Sequence, residues 1–214
     1  MARALLVFLL TGVAAAAYDS SLSPRAIDDA LAIGQSSVDS VRARFHAPYR
    51  IPVDRAPVDF VGVVTPFRRL VLAAEDRARL GMTRMRQPEA LAVLAGHSGR
   101  LELFVELTFH PLNTFVGVPA YGVALARAGV SAPPVLPAAL QRIPRFGPRM
   151  EGAPMSTPYP IPPQLPPGGQ PLSGGTVIAA FDSARIDTGG RYEVVIDEAG
   201  KELGRILLDL ARLR

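Results

Sequence analysis

The chain of 214 residues contains no cysteine, one lysine (Lys201) and one asparagine (Asn113). The absence of thiols excludes a cysteine nucleophile, a thiolate zinc site, a redox pair and any disulfide bond. Because the chain has only one lysine, almost all of its cations are arginines, and its net charge is only +4. Because nucleic-acid-binding proteins show dense, one-sided basic clusters, this charge does not favour a nucleic-acid partner.

The N-terminal stretch MARALLVFLLTGVAAAAYDS has one cation, Arg3, followed by an apolar run that ends in small residues at Ala17. This order is typical of a secretory signal peptide. The run is shorter than the about 20 apolar residues that a transmembrane helix needs, so cleavage after Ala17 is favoured over an uncleaved anchor. We expect a signal peptide at 1–17, no transmembrane segment after its removal, and a periplasmic or secreted location.

Residues 18–214 have the length of a single domain with a core of ordinary size. Apolar residues recur at spacings of three and four over residues 24–45, which predicts one long N-terminal amphipathic helix capped by Ser23. A second helix is predicted from Pro66 to the stop signal at Gly81, although RRLVLAA also fits a strand, and a short third helix is predicted over residues 88–95.

The clearest strand is RLELFVELTFH, in which five apolar residues from Leu101 to Phe109 alternate with mainly polar ones. Further strands are predicted over residues 58–64, 114–126, 175–182, 191–197 and 203–210. Helices come first and strands dominate later, without β-α-β alternation. The predicted fold class is α+β and mainly β, with an antiparallel sheet, and the pattern favours a sandwich.

Residues 131–173 hold 13 of the 21 prolines. The stretch STPYPIPPQLPPGGQP lacks apolar periodicity and favours an extended polyproline conformation. Because residues 174–214 are too few for an independent core, we interpret 131–173 as a surface excursion inside the one domain. It is either a passive spacer, which we favour, or a ligand that docks on another protein.

The sequence predicts no catalytic residue, no metal site and no cofactor. Its three histidines, His46, His97 and His110, lack ligand spacing. Ser98 in GHSG lacks the spacing and the strand-turn-helix context of a nucleophile elbow. A hydrolase would need a site assembled from separated residues, for which His46 and His110 are the candidates, and we keep this as an alternative.

Arginines crowd the second predicted helix and the residues that follow it. The six are Arg68, Arg69, Arg77, Arg79, Arg84 and Arg86. Guanidinium groups suit carboxylates and phosphates, although runs of charge are usually solvated faces. The candidate binding residues are Arg68, Arg69, Arg77, Arg79 and His110. The main hypothesis is an exported, soluble, non-enzymatic binding or structural module, and the first alternative is an anion- or small-ligand-binding envelope protein. Its partner would be an anionic envelope component or another protein.

The stretch TFHPLNTFVGVPAY, residues 108–121, groups a histidine, the single asparagine and two prolines. Phe109 completes the buried face of the preceding strand and His110 ends its exposed face. Asn113 tolerates the left-handed conformation that a tight loop needs. We interpret the stretch as a hairpin corner with the next strand starting at Thr114, so that His110 would need a distant second residue to act.

Overall fold

The computed structural model describes residues 18–110, 112–147 and 172–214. In these ranges the chain forms four α-helices and eight β-strands. The helices are α1 (Pro24–Gly34), α2 (Asp39–His46), α3 (Pro66–Arg79) and α4 (Gln87–Ala95). The strands are β1 (Arg50–Arg55), β2 (Val58–Val64), β3 (Arg100–Thr108), β4 (Tyr121–Arg127), β5 (Ala139–Phe146), β6 (Leu172–Asp182), β7 (Arg191–Glu198) and β8 (Lys201–Asp209). The predicted signal peptide, Pro111 and residues 148–171 of the predicted excursion lie outside the described residues.

The described strands form two antiparallel sheets. The larger sheet has the order β1-β2-β3-β6-β5, and the smaller one has the order β4-β7-β8. The predicted α+β class, with antiparallel sheets and more strand than helix, is confirmed. Strands β7 and β8 form a hairpin, in which Gly200 takes a positive φ of 84°.

One hydrophobic core contains the inward side chains of both sheets. Strand β3 contributes four side chains to this core because its apolar residues alternate strictly and every second side chain of a strand points to the same face. These side chains are fully buried: Leu101, Leu103, Val105 and Leu107. The smaller sheet contributes Val123, Leu125, Val194 and Ile196.

The helices pack together in a second hydrophobic cluster. Its larger members are Ile27, Leu31, Phe67, Leu70, Val71 and Met85. Helix α3 begins as predicted, with Pro66 in its first position and the Thr65 hydroxyl accepting a hydrogen bond from the Arg68 amide at 3.1 Å. Among the described helices, none is both long and apolar enough to cross a bilayer.

The prediction of one long helix over residues 24–45 was wrong. The chain forms α1 and α2 instead, and it leaves the helical path after Gly34. Gly34 packs directly against the backbone of Val71 and the side chain of Ala74 in α3. After it, the Ser36 hydroxyl accepts a hydrogen bond from the Val38 amide at 3.2 Å, a local bond that competes with helix formation.

The strand predictions need three corrections. Residues 50–55 form β1, which was not predicted, and residues 139–146 form β5 inside the predicted excursion. The strand predicted over 114–126 begins only at Tyr121. Since β3 and β4 belong to different sheets, residues 109–110 and 112–120 lie in a crossover loop between the sheets and not in a hairpin corner.

Candidate binding surface

Arg68 and Arg69, two of the predicted binding residues, lie inside the protein. Arg68 is 7% exposed, and its Nη1 donates hydrogen bonds to the carbonyl oxygens of Val63 (2.5 Å) and Tyr49 (3.3 Å). Arg69 is 3% exposed and forms an ion pair with Glu102. Burial lowers the pKa of Arg68 to about 10, although Tyr49 and Glu75 act in the opposite direction. Groups of the chain itself therefore accept the hydrogen bonds of these two guanidinium groups.

His46 joins the same buried network at the helical end of the sheet. Its Nε2 lies 2.8 Å from Glu75 Oε1, and its Nδ1 accepts a hydrogen bond from Arg68 Nε at 3.4 Å. This second bond makes Nδ1 an acceptor and Nε2 the protonated nitrogen that donates to Glu75. With both ring nitrogens bonded inside the protein, His46 links α2 to α3 and has no nitrogen left to act as a base.

His97 lies beside the Arg69–Glu102 pair, with its Nδ1 3.3 Å from Glu102 Oε1. Burial, reinforced by the charge of Arg69, lowers the pKa of His97. The three histidines do not come together: His46 contacts α3, His97 lies before β3, and His110 lies beyond the other end of β3. Among the described residues, no group of three or more His, Asp or Glu side chains could hold a metal ion.

Arg77 and Arg79, the other two predicted arginines, lie at the end of α3. Arg77 forms an ion pair with Glu89 at 2.8 Å, and its Nε donates to the Thr83 carbonyl oxygen at 2.7 Å. Arg79 pairs with Asp76 at 3.1 Å. We call residues 80–86 the α3–α4 connector, and Arg77 holds the backbone of this connector at Thr83.

One side of the α3–α4 connector packs against the helices, and the other side is exposed to solvent. Met85 is buried in the helical cluster, and its carbonyl oxygen accepts a hydrogen bond from Gln35 Nε2 at 3.0 Å. Leu80 is 75% exposed and Met82 is 54% exposed. Gly81 has a φ of 66°, a left-handed conformation that lets the chain turn between them.

Arg84 and Arg86 are the exposed cations of this connector. Within the described part of the chain, no ion pair of 4 Å or less joins either guanidinium group to a carboxylate. The neighbouring carboxylates have other partners: Asp76 pairs with Arg79 and Glu89 pairs with Arg77. The connector therefore presents two apolar side chains beside two exposed arginines that form no ion pair of 4 Å or less with a described carboxylate.

His110 and Asn113 organise the crossover loop. His110 Nδ1 accepts a hydrogen bond from the Leu112 amide at 3.1 Å. Asn113 Nδ2 donates to the carbonyl oxygens of His110 (2.7 Å) and Leu172 (2.9 Å), and its Oδ1 accepts from the Phe115 amide at 3.0 Å. Asn113 is not among the described residues of positive φ, so it stabilises the loop through its side chain and not through the predicted left-handed conformation.

The exposed tip of this loop is apolar. We call residues 112–118 the apex loop. Leu112 is 83% exposed, Val116 is 98% exposed, and Phe115 is 42% exposed while its ring packs edge-on against Phe109 at 5.2 Å. The histidine that the sequence singled out is therefore a support for this loop, and the exposed surface comes from residues that the sequence reasoning did not select.

The outer face of the larger sheet carries a buried carboxylate, Glu106, which is 3% exposed. It pairs with Arg145 and accepts a hydrogen bond from the Thr176 hydroxyl at 2.8 Å. Burial raises the pKa of Glu106, and Arg145 and Thr176 oppose that rise. Because these partners occupy both carboxylate oxygens, Glu106 anchors β5 to the sheet.

Comparison with known proteins adds no assignment, because no family model, curated protein or solved structure matches the chain. The candidate surface therefore depends on geometry alone. Sequence reasoning noted Arg84 and Arg86 in the arginine-rich stretch but selected neither of them as a binding residue, and it did not select Leu80 or Met82. A signal for them was present, since both residues flank the stop at Gly81 and lie outside the apolar stripe of α3.

Proposed function

We propose that the protein is an exported, non-enzymatic binding module that attaches to an anionic lipid surface of the envelope through the α3–α4 connector. Export is supported by the N-terminal sequence pattern described above. We also infer that the two sheets face each other as a sandwich, which is supported by the single core that their inner faces share.

The observation that carries this proposal is the pairing of exposed Leu80 and Met82 with exposed Arg84 and Arg86 on one short connector. An arginine fork binds phosphate oxygens in a bidentate manner. Apolar side chains gain free energy when they enter the boundary between headgroups and acyl chains. A lipid surface offers phosphate groups and an apolar boundary together. An anionic polysaccharide has no apolar region in which Leu80 and Met82 could be buried.

The connector is also suited to binding because its backbone is already fixed. Met85 in the helical cluster and the hydrogen bonds from Arg77 and Gln35 hold the connector without any ligand. A preorganised loop loses less conformational entropy on binding than a mobile one. The binding free energy is therefore not reduced by the cost of ordering the loop.

Vesicle sedimentation tests the proposal. The protein should bind phosphatidylglycerol vesicles more strongly than phosphatidylcholine vesicles, and added salt should weaken the binding. Each arginine at an anionic surface contributes about 1 kcal/mol, so the double variant Arg84→Gln/Arg86→Gln should lose about 2 kcal/mol of binding free energy, roughly a 30-fold loss. Leu80→Ser/Met82→Ser should weaken the binding that remains at high salt.

The matched control is Arg185→Gln/Arg191→Gln, which removes two exposed arginines elsewhere on the surface. This variant has the same net charge as the connector variant and should bind like the wild-type protein. Equal losses in the two double variants would show that only net charge matters. No binding to anionic vesicles at low salt would reject the lipid surface as the ligand.

A further inference from the structure

A shallow groove lies on the outer face of the smaller sheet, and it has a volume of about 500 Å³. Its floor contains the outward residues Ala124 and Ala126 of β4 and Val195 of β7. Its wall is the segment that returns along β4, where Val135 and Leu125 exchange backbone hydrogen bonds of 2.8 and 3.0 Å. Further apolar lining comes from Val130, Ala132 and Pro134. The groove thus has small apolar side chains at its base and no aromatic ring among its lining residues.

The charged side chains around the groove are paired with one another. Arg205 pairs with Glu193 at 2.7 Å and with Glu202 at 2.9 Å, and Arg127 pairs with Asp187 at 2.9 Å. Because each charged lining residue already has a partner, a charged occupant would gain no new ion pair and would bury its charge on the apolar floor at a cost in free energy. The groove therefore selects an uncharged, apolar occupant of a few side chains.

The apex loop has these properties. No Asp, Glu, Lys or Arg occurs between Glu106 and Arg127. The His110 and Asn113 side chains already bond the amides of Leu112 and Phe115. Burial of the loop would therefore leave neither of these two amides unsatisfied.

The apex loop precedes β4, whereas the groove lies over the second half of this strand. The loop leads into Tyr121 at the start of β4, and the groove extends from Ala124 to Arg127. Ala124 is three residues from Tyr121, about 10 Å along the strand. Asn113 and Val118 tie the loop to β6 at Leu172 and Gly175, so the loop cannot reach the groove of its own chain.

We propose that the apex loop of one copy docks into the groove of a second copy of this chain. The contact joins two unlike surfaces, so it can extend head to tail or close into a ring or a reciprocal pair. Val116 and Phe115 are the side chains that enter the groove. This association is separate from lipid binding, because the α3–α4 connector belongs to neither surface.

Three variants that each gain one arginine test the contact. Val116→Arg blocks the loop, Ala126→Arg blocks the groove, and Leu136→Arg alters a 61% exposed apolar residue outside both surfaces. Sedimentation velocity over a range of protein concentrations should show association of the wild-type and Leu136→Arg proteins. The two blocking variants should associate more than about tenfold more weakly, because each would bury an unpaired arginine.

Mixing the two blocking variants gives the decisive measurement. The intact loop of Ala126→Arg fits the intact groove of Val116→Arg, so the mixture should form one-to-one dimers that grow no further. This recovery also shows that both variants are folded. A monomeric mixture, or a wild-type protein that is monomeric at every concentration, would overturn the proposal. If the wild type stays monomeric and Val116→Arg instead loses vesicle binding, the loop belongs to a bilayer.

Discussion

The outward face of β3 carries one glutamate near each end, and each glutamate pairs with an arginine, but the two ends bury these pairs differently. At the Arg100 end, Glu102 pairs with Arg69, whose side chain is 4% exposed. Near the Thr108 end, Glu106 pairs with Arg145, whose side chain is 41% exposed. At the first end the helical layer covers the cation, whereas at the second end the cation borders solvent beside the apolar apex loop.

This difference shows that residue type alone does not decide what faces solvent. At the helical end, arginines lie inside because backbone carbonyls and carboxylates accept their hydrogen bonds. At the other end, Val116 lies outside because Asn113 fixes the backbone of the apex loop away from the core. The polar network at one end stabilises the fold, and the apolar surface at the other is available for binding.

Among the charged residues, the largest expected effect on stability comes from removal of the buried cation at the helical end, Arg69. Arg69→Met leaves Glu102 without its ion-pair partner, and breaking a buried pair in this way costs about 3–5 kcal/mol. The control is Arg79→Met in the same helix, where a 51% exposed arginine pairs with Asp76. Such surface pairs contribute about 0–1 kcal/mol. Urea unfolding of both variants measures the difference, and equal losses would mean that the two ends of α3 are solvated alike.

The sequence was sufficient to predict the elements that depend on local signals. The strict alternation from Leu101 to Phe109 predicted β3, and Pro66 predicted the start of α3. The two strands that were not predicted, β1 and β5, are the edges of the larger sheet, and each contains a proline. Edge strands tolerate proline and show weak apolar alternation, so their sequences resemble loops.

The candidate surface could be predicted only in part, because burial depends on residues remote in sequence. Nothing near Arg69 in the chain shows that Glu102 will lie beside it. The break after Gly34 likewise depends on the close approach of Val71. The arginines on both sides of Gly81 are visible in the sequence, but the sequence did not distinguish the exposed Arg84 and Arg86 from the buried Arg68 and Arg69.

A smaller effect on stability is expected from Glu106, near the Thr108 end of β3, and the direction of its pH dependence can be predicted. Burial raises the pKa of Glu106 above its ordinary value of 4.5, so the folded protein binds this proton more tightly than the unfolded chain does. The stability of the wild type relative to Glu106→Gln should therefore fall as pH rises from about 4.5 through the raised pKa. Urea unfolding of both proteins across this range measures the difference.

The matched control for that pH dependence is Glu202→Gln. Hydrogen bonding to Arg205 lowers the pKa of Glu202. Its contribution to stability is present above pH 4.5 and is lost as pH falls through the lowered pKa. The two variants should thus show pH dependences of opposite sign. If the stability of the wild type relative to Glu106→Gln instead rises with pH, the charge of Arg145 outweighs the effect of burial on the pKa of Glu106. The two ends of β3 would then stabilise their ionised glutamates equally well.

The smallest expected effect on stability comes from the most exposed apolar residue, Val116. Since its side chain is 98% exposed, Val116→Ser removes almost no buried area, and the free energy of unfolding should change by less than about 0.5 kcal/mol. Leu107→Ser, which replaces a fully buried leucine at the same end of β3, should instead prevent stable folding. Thermal unfolding followed by circular dichroism measures both changes. A large loss at Val116 would show that the tip packs against the rest of the chain, and the apex loop would then be unavailable for a second copy.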